Sequence, residues 1–184
     1  LMSVFPIAKG EHLRMIRSVG VIGAGLMGRG IAQVCASAGF ETVLTDVSQE
    51  ALDRGYKYVC GSIERLAKRG LTNADEAERV LSRLTVTTER AALAKCDLVI
   101  EAATENESVK VDIIREVSAL LAPKAVFATN TSSISVTAIA NGLAQPGRLV
   151  GMHFFNPVPL MKLVEVISGL RTEPQVAAAV FALA

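Results

Sequence analysis

The sequence predicts an α/β fold: a doubly wound, mostly parallel sheet with helices on both faces and an antiparallel strand pair at its C-terminal end. Three observations carry that expectation. Short apolar runs alternate with stretches of helical period from residue 16 onward, the pattern of successive strand–helix units. A glycine-rich hexapeptide, Gly23-Ala24-Gly25-Leu26-Met27-Gly28, stands between the first apolar run and the first helical stretch. The last two apolar runs are joined by Asn156-Pro157-Val158-Pro159, too short for a crossover helix, so those strands are expected to be antiparallel.

Residues 16–22 (IRSVGVI) read as the first strand. A helix follows through Ile31, Ala32, Val34 and Cys35 and stops near Gly39, and residues 42–45 form the second strand. Leu52, Tyr56, Val59, Ile63 and Leu66 recur at helical spacing and make one buried face, opposite Arg54, Lys57, Glu64, Arg65 and Lys68. The stretch from Thr72 to Asp75 caps a short helix through Val80 and Leu81. Residues 84–87 and 97–101 are strands, and Ile113, Ile114, Val117, Leu120 and Leu121 mark a helix ended by Pro123. Residues 125–129 are a strand and 136–140 a short helix; 149–154 and 163–167 are the final strands. Pro174 opens a last helix, expected to be still running at Ala184.

The chain has 184 residues, which suits one domain over 16–184, with 1–15 as a tag, linker or native N-terminal extension. With 51% hydrophobic and 20% charged residues it is not a disordered chain. The 19 basic and 18 acidic residues set up no field that would gather nucleic acid or an acidic membrane. Trp is absent and aromatics are 4%, which argues against a base-stacking surface. No apolar run reaches the ~18 residues of a membrane span, and the first 15 residues lack the apolar core of a secretory signal. Cys35, Cys60 and Cys96 are odd in number and far apart, so they read as reduced thiols of a cytoplasmic protein. With two histidines no metal site is expected; His12 reads as a surface residue, which leaves His153 for chemistry.

The hexapeptide fits G-x-G-x-x-G. Gly23 permits the tight turn, Gly25 leaves room for a pyrophosphate, and Gly28 lets the helix pack on the strand. The helix start then offers N–H groups to the phosphates. Asp46 ends the second strand 23 positions after Gly23, where a carboxylate accepts from a ribose 2′-hydroxyl and repels a 2′-phosphate. Val47, Ser48 and Gln49 bring no cation, so NAD is favoured over NADP.

Two further segments end strands at the same edge. After the fourth strand, Glu101-Ala102-Ala103-Thr104-Glu105-Asn106 has small residues that admit a cofactor. Glu105 and Lys110 could reach its ribose hydroxyls or phosphates, or be solvated charges at a capped helix start. Asn130-Thr131-Ser132-Ser133 could bind a polar substrate, cap the next helix, or do both with different serines. His153 and Glu165 are ionisable residues within apolar strands. A hairpin centred on Pro159 sets them directly opposite each other, with Cβ atoms about 4.5–5.5 Å apart. Such a pair is either a buried, satisfied contact or a general base oriented by its carboxylate. An adjacent NAD site favours the base, because alcohol oxidation needs a proton acceptor beside a hydride acceptor.

Together GAGLMGRGIAQ at 23–33, EAATEN at 101–106, NTSS at 130–133 and HFFNPVPLMKLVEV at 153–166 resemble the L-3-hydroxyacyl-CoA dehydrogenase family, which includes 3-hydroxybutyryl-CoA dehydrogenases. The resemblance spans 16–184 and implies a Rossmann-type NAD-binding domain. It implies that Gly23, Gly25, Leu26, Met27, Gly28, Asp46, Ala102, Glu105 and Lys110 surround the cofactor. His153 would be the general base, Glu165 its orienting partner, and Ser132 and Asn156 contacts to substrate and nicotinamide. Ser62, Lys68 and Arg69 match coenzyme-A-contacting positions loosely. The implied reaction is reversible, metal-free oxidation of an L-3-hydroxyacyl-CoA to the 3-oxoacyl-CoA, in fatty-acid or short-chain acyl-CoA metabolism. Family members continue into an all-helical C-terminal domain that closes the cleft and makes a homodimer. Residues 1–184 alone are therefore expected to bind NAD and turn over poorly. The competing readings are a lysine-dependent β-hydroxyacid dehydrogenase, a non-catalytic NAD-binding relative such as a crystallin or sensor, and the cofactor domain of a multifunctional fatty-acid oxidation enzyme.

Overall fold

In the computed structural model, which describes residues 16–184, one sheet carries seven strands in the order β3-β2-β1-β4-β5-β6-β7. The chain alternates β1 (Ser18–Ile22), α1 (Leu26–Ser37), β2 (Glu41–Thr45), α2 (Gln49–Lys68), α3 (Ala74–Ser82), β3 (Leu84–Thr87) and β4 (Leu98–Glu101). It continues through α4 (Glu107–Ser118), β5 (Val126–Thr129), α5 (Val136–Ala140), β6 (Leu149–Phe154), β7 (Val164–Ile167) and α6 (Pro174–Phe181). The first six strands are parallel, and β7 returns antiparallel to β6, because the connection over 155–163 is too short for a crossover helix. The expected extension at 1–15, with His12, lies outside the described residues.

Each central strand feeds two cores. Val19, Val21, Leu98, Ile100, Val126 and Ala128 face one side, against α1, α2, α3 and α6. Val99 and Phe127, the residues between them, face the other, against α4 and α5. Side chains alternate across a strand, so a strand buried on both faces must read as a continuous apolar run. The chain runs one way from β1 into β2 and β3, then crosses back to β4. The carboxyl ends of β1 and β4 therefore border a crevice, the place where open α/β sheets hold ligands.

The structure departs from the sequence reading in a few places. Tyr56 is 38% exposed, and Gly55 takes the buried position instead. The helix passes so close to the glycine-rich turn that a Cβ at Gly55 would lie 3.2 Å from the Ala24 carbonyl oxygen. Helix α4 ends at Ser118, leaving Leu120 half-exposed beyond it. Helix α6 ends at Phe181 rather than running to Ala184, as Leu183 N–H bonds the Val180 carbonyl and tightens the last turn. Two 3₁₀ turns, Arg90–Lys95 and Pro146–Arg148, are too short to have left a periodic signal. Among the described residues no helix is long and apolar enough to cross a membrane.

Phe127 is 1% exposed at the centre of the second core. Phe127→Ala is expected to cost about 3–5 kcal/mol, read as a lower urea midpoint at unchanged slope. Burial pushes the Cys35 thiol up to about 12 and the Cys96 thiol to about 11, while Cys60 is half-buried. A disulfide reagent at pH ~8 should therefore modify Cys60 first and reach the other two only on unfolding.

Candidate active site

The turn between β1 and α1 is built by its glycines. Gly23 has φ 100°, a conformation open to glycine, and its N–H donates to the Thr45 carbonyl at 2.7 Å. A Cβ at Gly28 would lie 1.7 Å from the Gly23 carbonyl oxygen, so the helix can fold back on the turn only without a side chain there. A Cβ at Gly25 would meet nothing within 4 Å, and no side chain caps α1. Open space therefore lies before the uncapped N–H groups of the first turn, with Leu26 exposed and Met27 half-buried beside it. Asp46 follows β2, and its two carboxylate oxygens accept from Ala24 N–H at 2.8 Å and Ser48 N–H at 2.9 Å. Each oxygen keeps a further acceptor site, which suits a ribose hydroxyl. The residues present fit a dinucleotide with an unphosphorylated ribose.

The edge after β4 abuts this turn: a Cβ at Gly23 would sit 2.7 Å from Ala103 Cα. A buried carboxylate holds the edge. Glu101 Oε1 accepts from Ala103 N–H at 2.8 Å, and Oε2 accepts from Thr129 Oγ1 at 3.0 Å and Lys110 Nζ at 2.6 Å. The side chains of Glu101 and Lys110 are both 0% exposed. This corrects the expectation that Lys110 reaches ribose or phosphate, because its ammonium is spent beneath the loop on Glu101. Glu105 is exposed and accepts from Thr131 Oγ1 at 2.8 Å, while Ala102 is half-buried beside the glycine turn.

The hairpin delivers the pair that its length implied. His153 is registered directly opposite Glu165, with Nδ1 2.8 Å from Glu165 Oε2. Nε2 lies 3.0 Å from Ser132 Oγ, at the end of β5. A carboxylate only accepts, so Nδ1 donates to Glu165; in the neutral ring Nε2 then accepts from the Ser132 hydroxyl. The imidazole is 16% exposed and Glu165 51%, so the ring is sheltered while its partner stays wet. Phe155 packs on the ring with centroids 4.5 Å apart. Asn156 is exposed at the start of the connecting loop, and its bond to Pro157 is cis. None of Asn130–Ser133 caps α5, contrary to one expectation for that stretch: Ser135 does, accepting from Ala138 N–H, while Asn130 and Thr131 are buried.

The family model described as "3-hydroxyacyl-CoA dehydrogenase, NAD binding domain" matches residues 18–184. The chain belongs to this family. It is 48% identical over 159 residues to a probable 3-hydroxybutyryl-CoA dehydrogenase of Deinococcus radiodurans, covering 86% of this chain and 56% of the relative. It is 47% identical over 161 residues to the 3-hydroxyadipyl-CoA dehydrogenase of Escherichia coli, covering 88% of this chain and 34% of that one. The crystal structure of 3-hydroxybutyryl-CoA dehydrogenase from Escherichia coli K12 superposes with TM-score 0.89 at 45% identity, covering 91% of this chain and 36% of that one. The chain thus spans about half the length of the first relative and a third of the second. NAD is the cofactor of this domain family, in agreement with Asp46 and the open turn.

Within this 3-hydroxyacyl-CoA dehydrogenase domain, the loosely matched coenzyme A positions fall together on α2. Lys68 is its last residue and Arg69 its C-cap, both exposed. Ser62 is half-buried and accepts from Gln33 Nε2 of α1 at 2.9 Å. Sequence reasoning missed the Glu101–Lys110–Thr129 cluster and the tie from Asn130 Oδ1 to Phe154 N–H at 2.9 Å. A glutamate ending the apolar run LVIE was the one available signal for the first. Lys110→Met strands the buried carboxylate of Glu101 and should cost about 3–5 kcal/mol in urea unfolding. The double variant Glu101→Gln/Lys110→Met should lose clearly less, because no unpaired charge remains and the acceptor for Ala103 N–H is kept.

Proposed function

We propose that residues 16–184 form the NAD-binding domain of an enzyme that oxidises L-3-hydroxyacyl-CoA to 3-oxoacyl-CoA, reversibly. The observation that carries this reading is the Ser132–His153–Glu165 chain, with distances of 3.0 and 2.8 Å, on the sheet that holds the dinucleotide turn. NAD supplies the acceptor for the hydride leaving the substrate's C3. His153 Nε2 takes the proton of the 3-hydroxyl, and the Ser132 hydroxyl turns to donate to the same substrate oxygen. Glu165 holds Nδ1–H and stabilises the imidazolium that forms. In the reverse direction the imidazolium returns the proton. Asn156, exposed three residues beyond the base, is assigned to the substrate or the nicotinamide. Ser62, Lys68 and Arg69 receive the coenzyme A portion, the two cations pairing with its phosphates.

The names of the relatives support an acyl-CoA substrate, with 3-hydroxybutyryl-CoA a fitting member of the class. A homodimer belongs to the same reading and is checked by sedimentation of the full-length protein. Titration of NADH and NADPH, followed by nicotinamide fluorescence, tests the cofactor site. NADH should bind preferentially, and Asp46→Ala should weaken it about 10–100-fold, the worth of a hydrogen bond to a charged group. In the full-length enzyme His153→Gln should lower kcat for acetoacetyl-CoA reduction by about 10²–10⁴ with NADH affinity unchanged. Glu165→Gln should lower it less. Wild-type kcat in His153→Gln would remove the general base from the reading.

A further inference from the structure

We infer that the Asn130 carboxamide is a positioning group for His153, standing in for the neighbouring strand that β6 lacks beyond Gly151. The inference rests on the dehydrogenase reading for what His153 does, but on geometry for how His153 is held. The β5–β6 ladder ends at Thr129 paired with Gly151. The Asn130 backbone N–H donates to the Glu101 carbonyl at 2.8 Å and so continues the β4–β5 ladder, not the β5–β6 one. Beyond Gly151, β6 continues through Met152, His153 and Phe154 with no β5 residue in register beside them. A buried backbone N–H needs an acceptor. Asn130 Oδ1 supplies it for Phe154 at 2.9 Å, and both residues are only 6% exposed, so water cannot easily take its place.

The imidazole is held from two sides that belong to different segments. Glu165, on Nδ1, shares the hairpin with His153 and is paired with it in register. Ser132, on Nε2, belongs to the segment after β5. The Asn130–Phe154 bond ties the hairpin to that segment, one residue from His153 on one strand and two from Ser132 on the other. Between them Thr131 is anchored separately: its Oγ1 donates to Glu105 at 2.8 Å and accepts from Ile134 N–H at 3.1 Å. Removing the Asn130 acceptor therefore loosens the distance from Nε2 to Ser132 and leaves the Nδ1–Glu165 contact in place. A residue that merely stabilised the fold would have no reason to affect one ring nitrogen and spare the other.

The test compares Asn130→Leu, which keeps the size and removes the acceptor, with Asn130→Asp, which keeps the acceptor. Imidazole ¹⁵N resonances, Phe154 amide exchange, NADH affinity and kcat with acetoacetyl-CoA are measured in each full-length variant. In Asn130→Leu the Phe154 amide should exchange faster and the Nε2 resonance move toward its free value, while the deshielded Nδ1 proton persists. Its kcat should fall about 10–100-fold, the scale of an ångström's misplacement, with NADH affinity within about two-fold. Asn130→Asp should recover most of kcat and the wild-type Nε2 position. Unchanged Nε2 and kcat in Asn130→Leu would overturn the inference. So would joint loss of the Nδ1 and Nε2 signals with a lowered Tm, which marks a purely structural role, or failure of Asn130→Asp to recover. The NMR readings need no turnover. A wild type that bound no NADH would defeat the dehydrogenase reading and leave the Nε2 resonance to decide this one.

Discussion

The register of the β6–β7 hairpin is the constraint on which the rest of the site depends, because strand side chains alternate between faces. A slip of one residue would turn His153 away from Glu165 and bury the wrong half of β6. Burial opposes the slip: Met152 and Phe154 lie in the core that α1 and α6 cover. Close contact opposes it as well, since a Cβ on Gly151 would be 3.0 Å from Ile167 Cβ across the pair. The connecting loop is pinned to the cofactor helix, where Gly30 leaves so little room that a Cβ would come within 2.9 Å of Val158. The helix that begins at the glycine turn therefore also fixes the loop that follows His153.

Carboxylates provide a second organising device, and the structure uses them on backbone N–H groups. Asp46 accepts from Ala24 N–H and Ser48 N–H, which ties the turn after β1 to the end of β2. Glu101 accepts from Ala103 N–H, which ties down the loop after β4, and Lys110 neutralises it from α4. A charge buried without a partner is far costlier than a paired one, so this pair works less as a source of stability than as a specification of one loop conformation.

Much of this was legible in the chain because it depends on short-range spacing. The glycine turn is six consecutive residues whose roles follow from backbone sterics. The opposition of 153 and 165 follows from a connection too short to cross the sheet. The caps at Asn73 and Asn106 are local, each accepting an N–H three residues on. The strand that reads LVIE announced burial on both faces and the carboxylate that ends it.

What the sequence by itself determined was the order of elements, the glycine turn with Asp46 after the next strand, and the pairing of His153 and Glu165. Tertiary structure alone decided which groups complete them. Lys110 reads as a helix-surface cation until the approach of α4 and β5 buries it against Glu101 and Thr129. Ser132 and Asn130 read as interchangeable short polar residues until the end of β5 is laid beside β6. There one meets the imidazole and the other meets the Phe154 amide. Tyr56 and Gly55 exchange their expected places because of the distance between α2 and Ala24. Period and spacing report which side of an element faces inward. Hydrogen-bond partners drawn from distant segments depend on how the elements are packed, and no local pattern in the chain encodes that separation.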